Sequence, residues 1–462
     1  MAAMDGVLDR IDANLPTSLD RLFELLRIES ISTDPAYSGQ CHAAADWMAA
    51  YLTGLGISSS VRQTDGQPMV VGHSTPGGSA PGHVLFYGHY DVQPVDPLEL
   101  WDTEPFDPKI ITRADGSKCI AARGAADDKG QLMTFVEACR AWIEETGGLP
   151  VDVSFLLEGE EESGSPSLQP FLEANGEELK ADVALVCDTG MWNAKTPAIT
   201  TMLRGLVGEE IYVTAADIDL HSGMFGGAAR NPLHVLATAL AALHDDTGRV
   251  MVPDFYDGVV EMSDDVLANW QSLGLSAVDF LGSIGLRDLA GEQGRTTLEQ
   301  IWSRPTCEVN GVIGGYTGDG FKTVIPAMAS AKISFRLVGN QDPHAIRANF
   351  RELIKRHIPD DCQVEFKEHG TAPALQLPLD SPTLVKGRKA LEAEWGVPAA
   401  VIGCGGSIPI VGEFKRFLGM DSLLVGFGLD DDRVHSPNEK YEMTSFHGGI
   451  RSWARILGEL AG

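Results

Sequence analysis

The sequence predicts an α/β protein in which a domain with a mostly parallel central sheet is interrupted by a two-layer α+β insert. Three observations carry that expectation. The chain has 462 residues, more than one core usually organises, since cores stop growing near about 250–300 residues. Short apolar strands alternate with amphipathic helices along its first part, the pattern of a parallel sheet with crossover helices. Around Gly205 the texture changes, and near residue 372 it changes back.

The N-terminal stretch reads as an amphipathic helix, with clear periodicity from Leu19 to Leu26 and again through Ala43–Leu55. Met69–Val71 and His83–Tyr87 are strand-like, Gln131–Glu144 is helical after a glycine-rich turn, and Val151–Leu157 and Val183–Cys187 are strands flanking a helix at Leu168–Ala174. In the insert, Glu209–Val213 and Ala331–Leu337 alternate as strands. Asn231–Leu243 and Asp342–His357 are helical, and residues 364–370 read as an edge strand. A helix at Ser381–Trp395 and strands at Ala399–Ile402 and Ser422–Val425 follow. The expected segments are 1–206 for the first part of the interrupted domain, 207–371 for the insert and 372–462 for the second part.

Sixty-five acids against 35 bases give a net charge of −30. Phosphate backbones and anionic membrane surfaces need a basic face, so neither nucleic acid nor membrane is expected as a partner. A divalent cation suits such a chain better. The seven cysteines are odd in number, scattered and never arranged as CxxC, which reads as buried thiols in a reducing compartment. No apolar run suggests a signal peptide or a transmembrane helix, and the expectation is a cytoplasmic enzyme.

Chemistry-bearing residues cluster just after the apolar strands, where open α/β sheets bind ligands. His89 and Asp91 in "FYGHYDV" sit two apart on an extended segment, so the carboxylate can orient the imidazole. "ARGAADDKG" places Asp127 and Asp128 in a turn before a helix. "LLEGEEESGS" gathers Glu158, Glu160, Glu161 and Glu162 at a strand end. Asp188 ends the strand of "ALVCDTG", and His435 lies in the loop "DDRVHSPNE". Each has an ordinary alternative: a lone strand-end aspartate is usually a turn or capping residue, and a lone loop histidine a solvated one. Taken together, two histidines and three or four carboxylates at successive strand ends match the ligand set of a carboxylate-bridged dimetal site, and cations would offset the repulsion among the glutamates.

The strings "YGHYDVQP", "RGAADDKG", "LEGEEESGS", "VCDTGMW" and "VHSPNE", in this order and spacing, resemble the dizinc exopeptidase family of aminoacylases, carboxypeptidase G, succinyl-diaminopimelate desuccinylase and carnosinase-like dipeptidases. Within it, "DLHSGMFGG", "TVIP", "ISFRLV" and "GGSIPI" look most like the carnosinase and cytosolic nonspecific dipeptidase branch. The resemblance implies two divalent metals per subunit, zinc first, with manganese or cobalt sharing the same donors. It makes Asp127 the bridging carboxylate, His89 and Asp188 the further ligands of one metal, and Glu162 and His435 those of the other. Glu161 becomes the general base on a bridging water and Asp91 the group that orients His89. A cis peptide is implied at Asp127–Asp128. The insert becomes a lid through which the chain forms a homodimer, with His221 reaching the partner subunit's site. Arg336, Gly406, Ser407 and Thr323 become substrate-binding residues, the first three for a terminal carboxylate. The implied reaction is hydrolysis of the peptide bond in dipeptides or short peptides with a free C-terminus. An N-acyl amino acid deacylase or other amidohydrolase on the same machinery is the alternative, and a non-catalytic binding protein on the same fold a third. Glu158 and Glu160 are left without a role beyond turn or supporting contacts.

Overall fold

In the computed structural model, residues 2–74, 82–282, 284–405 and 409–462 are described. They form two compact units, one of residues 1–200, 377–402 and 410–462, the other of 201–376 and 403–409. The sequence reading left 403–409 with the first unit. At Gly403 a Cβ would stand 2.6 Å from the Cβ of Trp302, so that residue packs closely on the second unit.

The first unit opens with a helix at Ala2–Leu26, far longer than the clear periodicity suggested, with Pro16 inside it. A helix at Ser38–Gly54 follows, then strands β1 (Ser58–Arg62), β2 (Met69–His73) and β3 (His83–His89). β4 (Lys109–Thr112) and β5 (Lys118–Ala121) make a small ladder before the helix Lys129–Thr146. That helix is buried on almost every side from Lys129 to Trp142, its polar Lys129, Gln131, Thr134 and Glu137 included. β6 (Asp152–Glu158), the helix Leu168–Leu179, β7 (Val183–Val186) and β8 (Ala198–Leu203) complete this part.

The second unit contains β9 (Gly205–Thr214), β10 (Leu220–His221), β11 (Thr306–Gly314), β12 (Val324–Ile325), β13 (Met328–Leu337), β14 (Gln363–Ala372) and β15 (Leu375–Gln376). Four of these form an antiparallel sheet in the order β11-β13-β9-β14, so residues 364–370 do belong to an edge strand. Helices Pro232–Ala241 and Pro343–Arg356 pack on it in a second layer over Val207, Ile211, Ile333 and Phe335, with Phe350 of the second helix in the same core. Both helices start with an acceptor side chain followed by proline: Asn231 accepts from the Leu233 amide and Asp342 from the His344 amide.

The chain then supplies the first unit with the helix Pro382–Trp395, the start of β16 (Ala400–Cys404), β17 (Ser422–Leu424), β18 (Lys440–Glu442) and the helix Met443–Ala461. The resulting sheet runs β1-β2-β6-β3-β7-β17-β8. Its centre is parallel, with β6, β3, β7 and β17 all pointing one way and antiparallel strands at the margins. Phe86, Phe135, Phe155 and Trp453 stack edge-on and face-on beneath it, fixing β3 between β6 and β7. The carboxyl ends of the four parallel strands therefore share one edge of the sheet, and the acid–histidine cluster sits there.

Candidate metal centre

His89 is the last residue of β3 and is completely buried. Its Nε2 lies 3.1 Å from Asp127 Oδ1 and 3.9 Å from Asp188 Oδ2. The other oxygen of Asp127, Oδ2, lies 2.9 Å from His435 Nε2, which is in turn 3.2 Å from Glu162 Oε2. Two triads, His89–Asp127–Asp188 and Asp127–Glu162–His435, thus each present donor atoms within 4.8 Å of one another and share one carboxylate. The peptide between Asp127 and Asp128 is cis.

Asp91 joins the halves. Its Oδ1 lies 3.4 Å from His89 Nδ1, so the ring nitrogen facing Asp127 is left to bind a metal. The same carboxylate accepts hydrogen bonds from the backbone amides of Glu161, at 3.3 Å, and Glu162, at 3.0 Å. One fully buried aspartate therefore orients an imidazole of the first triad and the backbone that carries the second.

The electrostatics call for cations. Burial, reinforced by Asp127 and Asp128, holds the Asp188 carboxyl well above the usual carboxylate range, and burial likewise raises Glu161. Burial alone would drive the His89 imidazolium down, but hydrogen bonds to Asp127 and Asp91 outweigh it and raise its pKa. His435 is raised to about 10 by its bonds to Asp127 and Glu162. Protons on the imidazoles thus stand in the ion-free chain where positive charge is needed. The nearby basic side chains are engaged elsewhere: Lys129 Nζ, whose pKa burial lowers to about 7, donates to the carbonyls of Leu25 and Ile28, and Arg123 donates to Glu439 and Pro94. A mixed imidazole–carboxylate donor set with no other counter-charge among the described residues fits divalent metal.

A third acidic group, Asp431, Asp432 and Glu442, has a different filling. Lys440 Nζ stands 2.9, 2.6 and 2.9 Å from their oxygens, so a lysine already supplies the positive charge.

Sequence reasoning missed several residues around the centre. Gln93 donates to Glu162 Oε2 at 2.7 Å. Asp128 accepts from the His89 amide and from Cys187 Sγ, and burial pushes its pKa up to about 7. The two glutamates without a role now have contacts. Glu160 accepts from the amides of Gln67 and Ser167, pinning two loops, while the buried Glu158 accepts from Tyr87 Oη and leaves Oε1 unpartnered. Their signal in the sequence was position alone, inside strings already quoted for other residues.

His221, Thr323 and Arg336 lie in the second unit. His221 is exposed; its Nδ1 accepts from the Gly223 amide, and the Thr323 carbonyl accepts from Ser222 beside it. Arg336 stands on β13 opposite Thr306, with no hydrogen-bond or ionic partner among the described residues. Its charge, after burial, helps lower the neighbouring Arg204 to about 10, against an opposing contribution from Glu308. Gly406 and Ser407 lie outside the described residues. The seven cysteines form no disulfide.

Two acid–histidine triads sharing a carboxylate at the carboxyl edge of a parallel sheet are the layout of a metallohydrolase. Comparison with known proteins makes that specific. The profile described as Peptidase family M20/M25/M40 matches residues 85–459. A Cys-Gly metallodipeptidase of Schizosaccharomyces pombe is 30% identical over 481 aligned positions, covering 99% of this chain and 98% of that protein. A Beta-Ala-His dipeptidase of Homo sapiens is 28% identical, covering 100% and 93%. Among solved structures, an M20 family metallo-carboxypeptidase from Sulfolobus solfataricus superposes with a TM-score of 0.79 at 30% identity, covering 96% of this chain and 99% of that one. The chain belongs to peptidase family M20/M25/M40, and divalent-metal binding comes with that membership.

Proposed function

We propose that the protein is a metal-dependent dipeptidase that hydrolyses the peptide bond of dipeptides or short peptides with a free C-terminal carboxylate. The sharing of Asp127 between the two triads carries this reading, and the dipeptidase activities named for two relatives support it. His89, Asp127 and Asp188 would hold one ion, and Asp127, Glu162 and His435 the other. Zinc is the ion we assign first, with manganese and cobalt suited to the same donors. When bound, such ions polarise the scissile carbonyl and lower the pKa of the attacking water.

The protein's own groups do the rest. Glu161 is half-buried, with its pKa raised by burial, which makes it a better proton acceptor than a surface glutamate. It takes the water proton and returns it to the leaving amine. Asp91 holds the Glu161 and Glu162 amides and the His89 ring, so base and ligands keep a fixed relation. Arg336, its side chain unpartnered among the described residues and beside a second guanidinium, supplies the charge for the substrate's carboxylate, with Gly406 and Ser407 as further contacts to it and Thr323 as a substrate-binding residue. The second unit acts as lid and dimerisation surface, with His221 donating to the developing oxyanion in the partner subunit's site. Exposed Val309, Val312 and Ile313 on edge strand β11 support a homodimer through this unit. Seven cysteines outside any disulfide support a reducing compartment, the cytoplasm. Among the described residues, no helix is long and apolar enough to cross a membrane.

The test is a set of three substrates offered to the zinc-loaded enzyme: a free dipeptide, its N-acetylated form and its C-terminal amide. Cleavage of the free dipeptide alone is the expected result. Cleavage of the acetylated compound alone would move the function to deacylation, and equal cleavage of the amide would remove the carboxylate role of Arg336.

A further inference from the structure

Glu439 has no role in the reading above, yet it is completely buried and its two oxygens meet four donors. Oε1 accepts from the amides of Ala126, at 2.8 Å, and Asp127, at 3.1 Å. Oε2 accepts from the Gly124 amide at 3.0 Å and from Arg123 Nη1 at 2.7 Å. Three of the four donors are therefore backbone N–H groups of the turn that delivers Asp127, and one of them is Asp127's own. Glu439 also closes the loop that carries His435, four residues earlier. The far end of that loop is tied down independently: Asp432 accepts from the Leu429 amide at 2.7 Å, and Lys440 Nζ donates to Asp432 at 2.6 Å.

A buried Arg–Glu pair can be merely a structural strut. Burying such a pair costs desolvation that its attraction barely repays, so it is weak evidence of stabilisation by itself. The disposition of the bonds says more. Arg123 takes up a single contact, while the remaining acceptor capacity is spent on the turn, where charge-assisted bonds to amides fix backbone direction. Asp127 must face His89 with one oxygen and His435 with the other, 3.1 and 2.9 Å away. A turn free to rotate would present one oxygen or the other, not both.

We propose that Glu439 is a positioning residue for the metal centre: its carboxylate locks the turn 124–127 so that Asp127 is shared between the two triads, and couples that turn to the His435 loop. The proposal rests on the reading of Asp127 as the shared metal ligand.

The test is zinc binding by the full-length, metal-stripped protein, followed by competition with a chromophoric chelator and read without reference to activity. Glu439→Gln replaces one acceptor oxygen with an NH2 group that opposes the amide donors. It should weaken zinc binding by about 10–100-fold, the usual effect of removing a group that orients ligands. It should also speed hydrogen exchange in the peptide spanning residues 122–130 of the metal-free protein. Leu391→Ala, a core change in the helix Pro382–Trp395, is the control: it should lower Tm and leave zinc affinity unchanged. Should Glu439→Gln not fold, Glu439→Asp keeps the charge for Arg123 but falls one methylene short of the turn, and the same loss is expected. Wild-type zinc affinity in whichever variant folds would overturn the proposal. So would fast exchange of the Gly124, Ala126 and Asp127 amides in the metal-free wild-type protein, a reading that needs no variant. A wild-type protein that binds no zinc would instead overturn the dimetal reading beneath it.

Discussion

His89 ends a central parallel strand and has no exposed surface, whereas the side chain of His435 is 54% exposed. Asp188 likewise follows a parallel strand, β7, while Glu162 sits in a short turn after β6. The His435 loop also holds three non-glycine residues at positive φ, namely Arg433 at 56°, His435 at 62° and Asn438 at 64°. One half of the centre is thus placed by sheet register, and the other by a loop that side-chain clasps must hold in shape. The comparison teaches that the two halves should differ in affinity and in tolerance of change, although their donor sets are nearly the same. Asp127, which both use, should be the least tolerant position of all.

The largest effect should come from removing what the halves share. Asp127→Ala should abolish binding of both ions and cut kcat/KM by about a thousandfold or more, several kcal/mol of transition-state stabilisation. Retention of one tightly bound ion would show that the halves are independent. Glu161→Gln comes next: turnover should fall by about 10²–10⁴-fold, the range for a general base, while both ions remain bound by elemental analysis. Substantial residual turnover would remove the base assignment. The asymmetry itself is read from His435→Ala and His89→Ala. The first should leave one zinc equivalent bound with near-wild-type affinity; the second should weaken the tighter site. The reverse order would contradict the comparison. Asp91→Asn should be milder, about 10–100-fold in metal affinity, because it disturbs orientation and leaves every ligand in place.

The smallest effect is a pH dependence. The folded-state pKa of His435, about 10, lies above its ordinary value of 6.5. Its contribution to stability is therefore fully present below pH 6.5 and lost as pH rises through 10. Chemical denaturation of the metal-free protein should show this decline. The zinc-loaded protein should not, since a ligating imidazole is already neutral and its proton has left on binding. The same decline in both forms would mean that His435 does not bind metal.

The parallel centre was legible because three of its four strands are short apolar runs ending in polar chemistry: His89, Glu158 and Asp188 mark the ends of β3, β6 and β7. The shared Asp127 stood out through its neighbours in "DDKG". Other elements left weaker traces. β4 is exposed along its whole length, so Lys109–Thr112 shows no alternation. The helix Met443–Ala461 is absent from the sequence reading, and Gly448 and Gly449 lie in its interior. In the fold they are required, because a Cβ at Gly448 would meet Trp395 at 2.8 Å and one at Gly449 would meet Phe427 at 2.8 Å. The first helix, read from the sequence as amphipathic, continues through Pro16. Glu439 was invisible for another reason: its partners are backbone amides, which carry no residue-type signature at all.

The most direct measurement of the central claim is turnover of a free dipeptide by metal-stripped protein as zinc is added in steps, with bound zinc quantified at each step. The account predicts no turnover in the stripped protein and a rise that levels off at two equivalents per chain, with Glu161→Gln taking up the same zinc and staying inactive. Turnover that is present in the stripped protein and unchanged by zinc would contradict it.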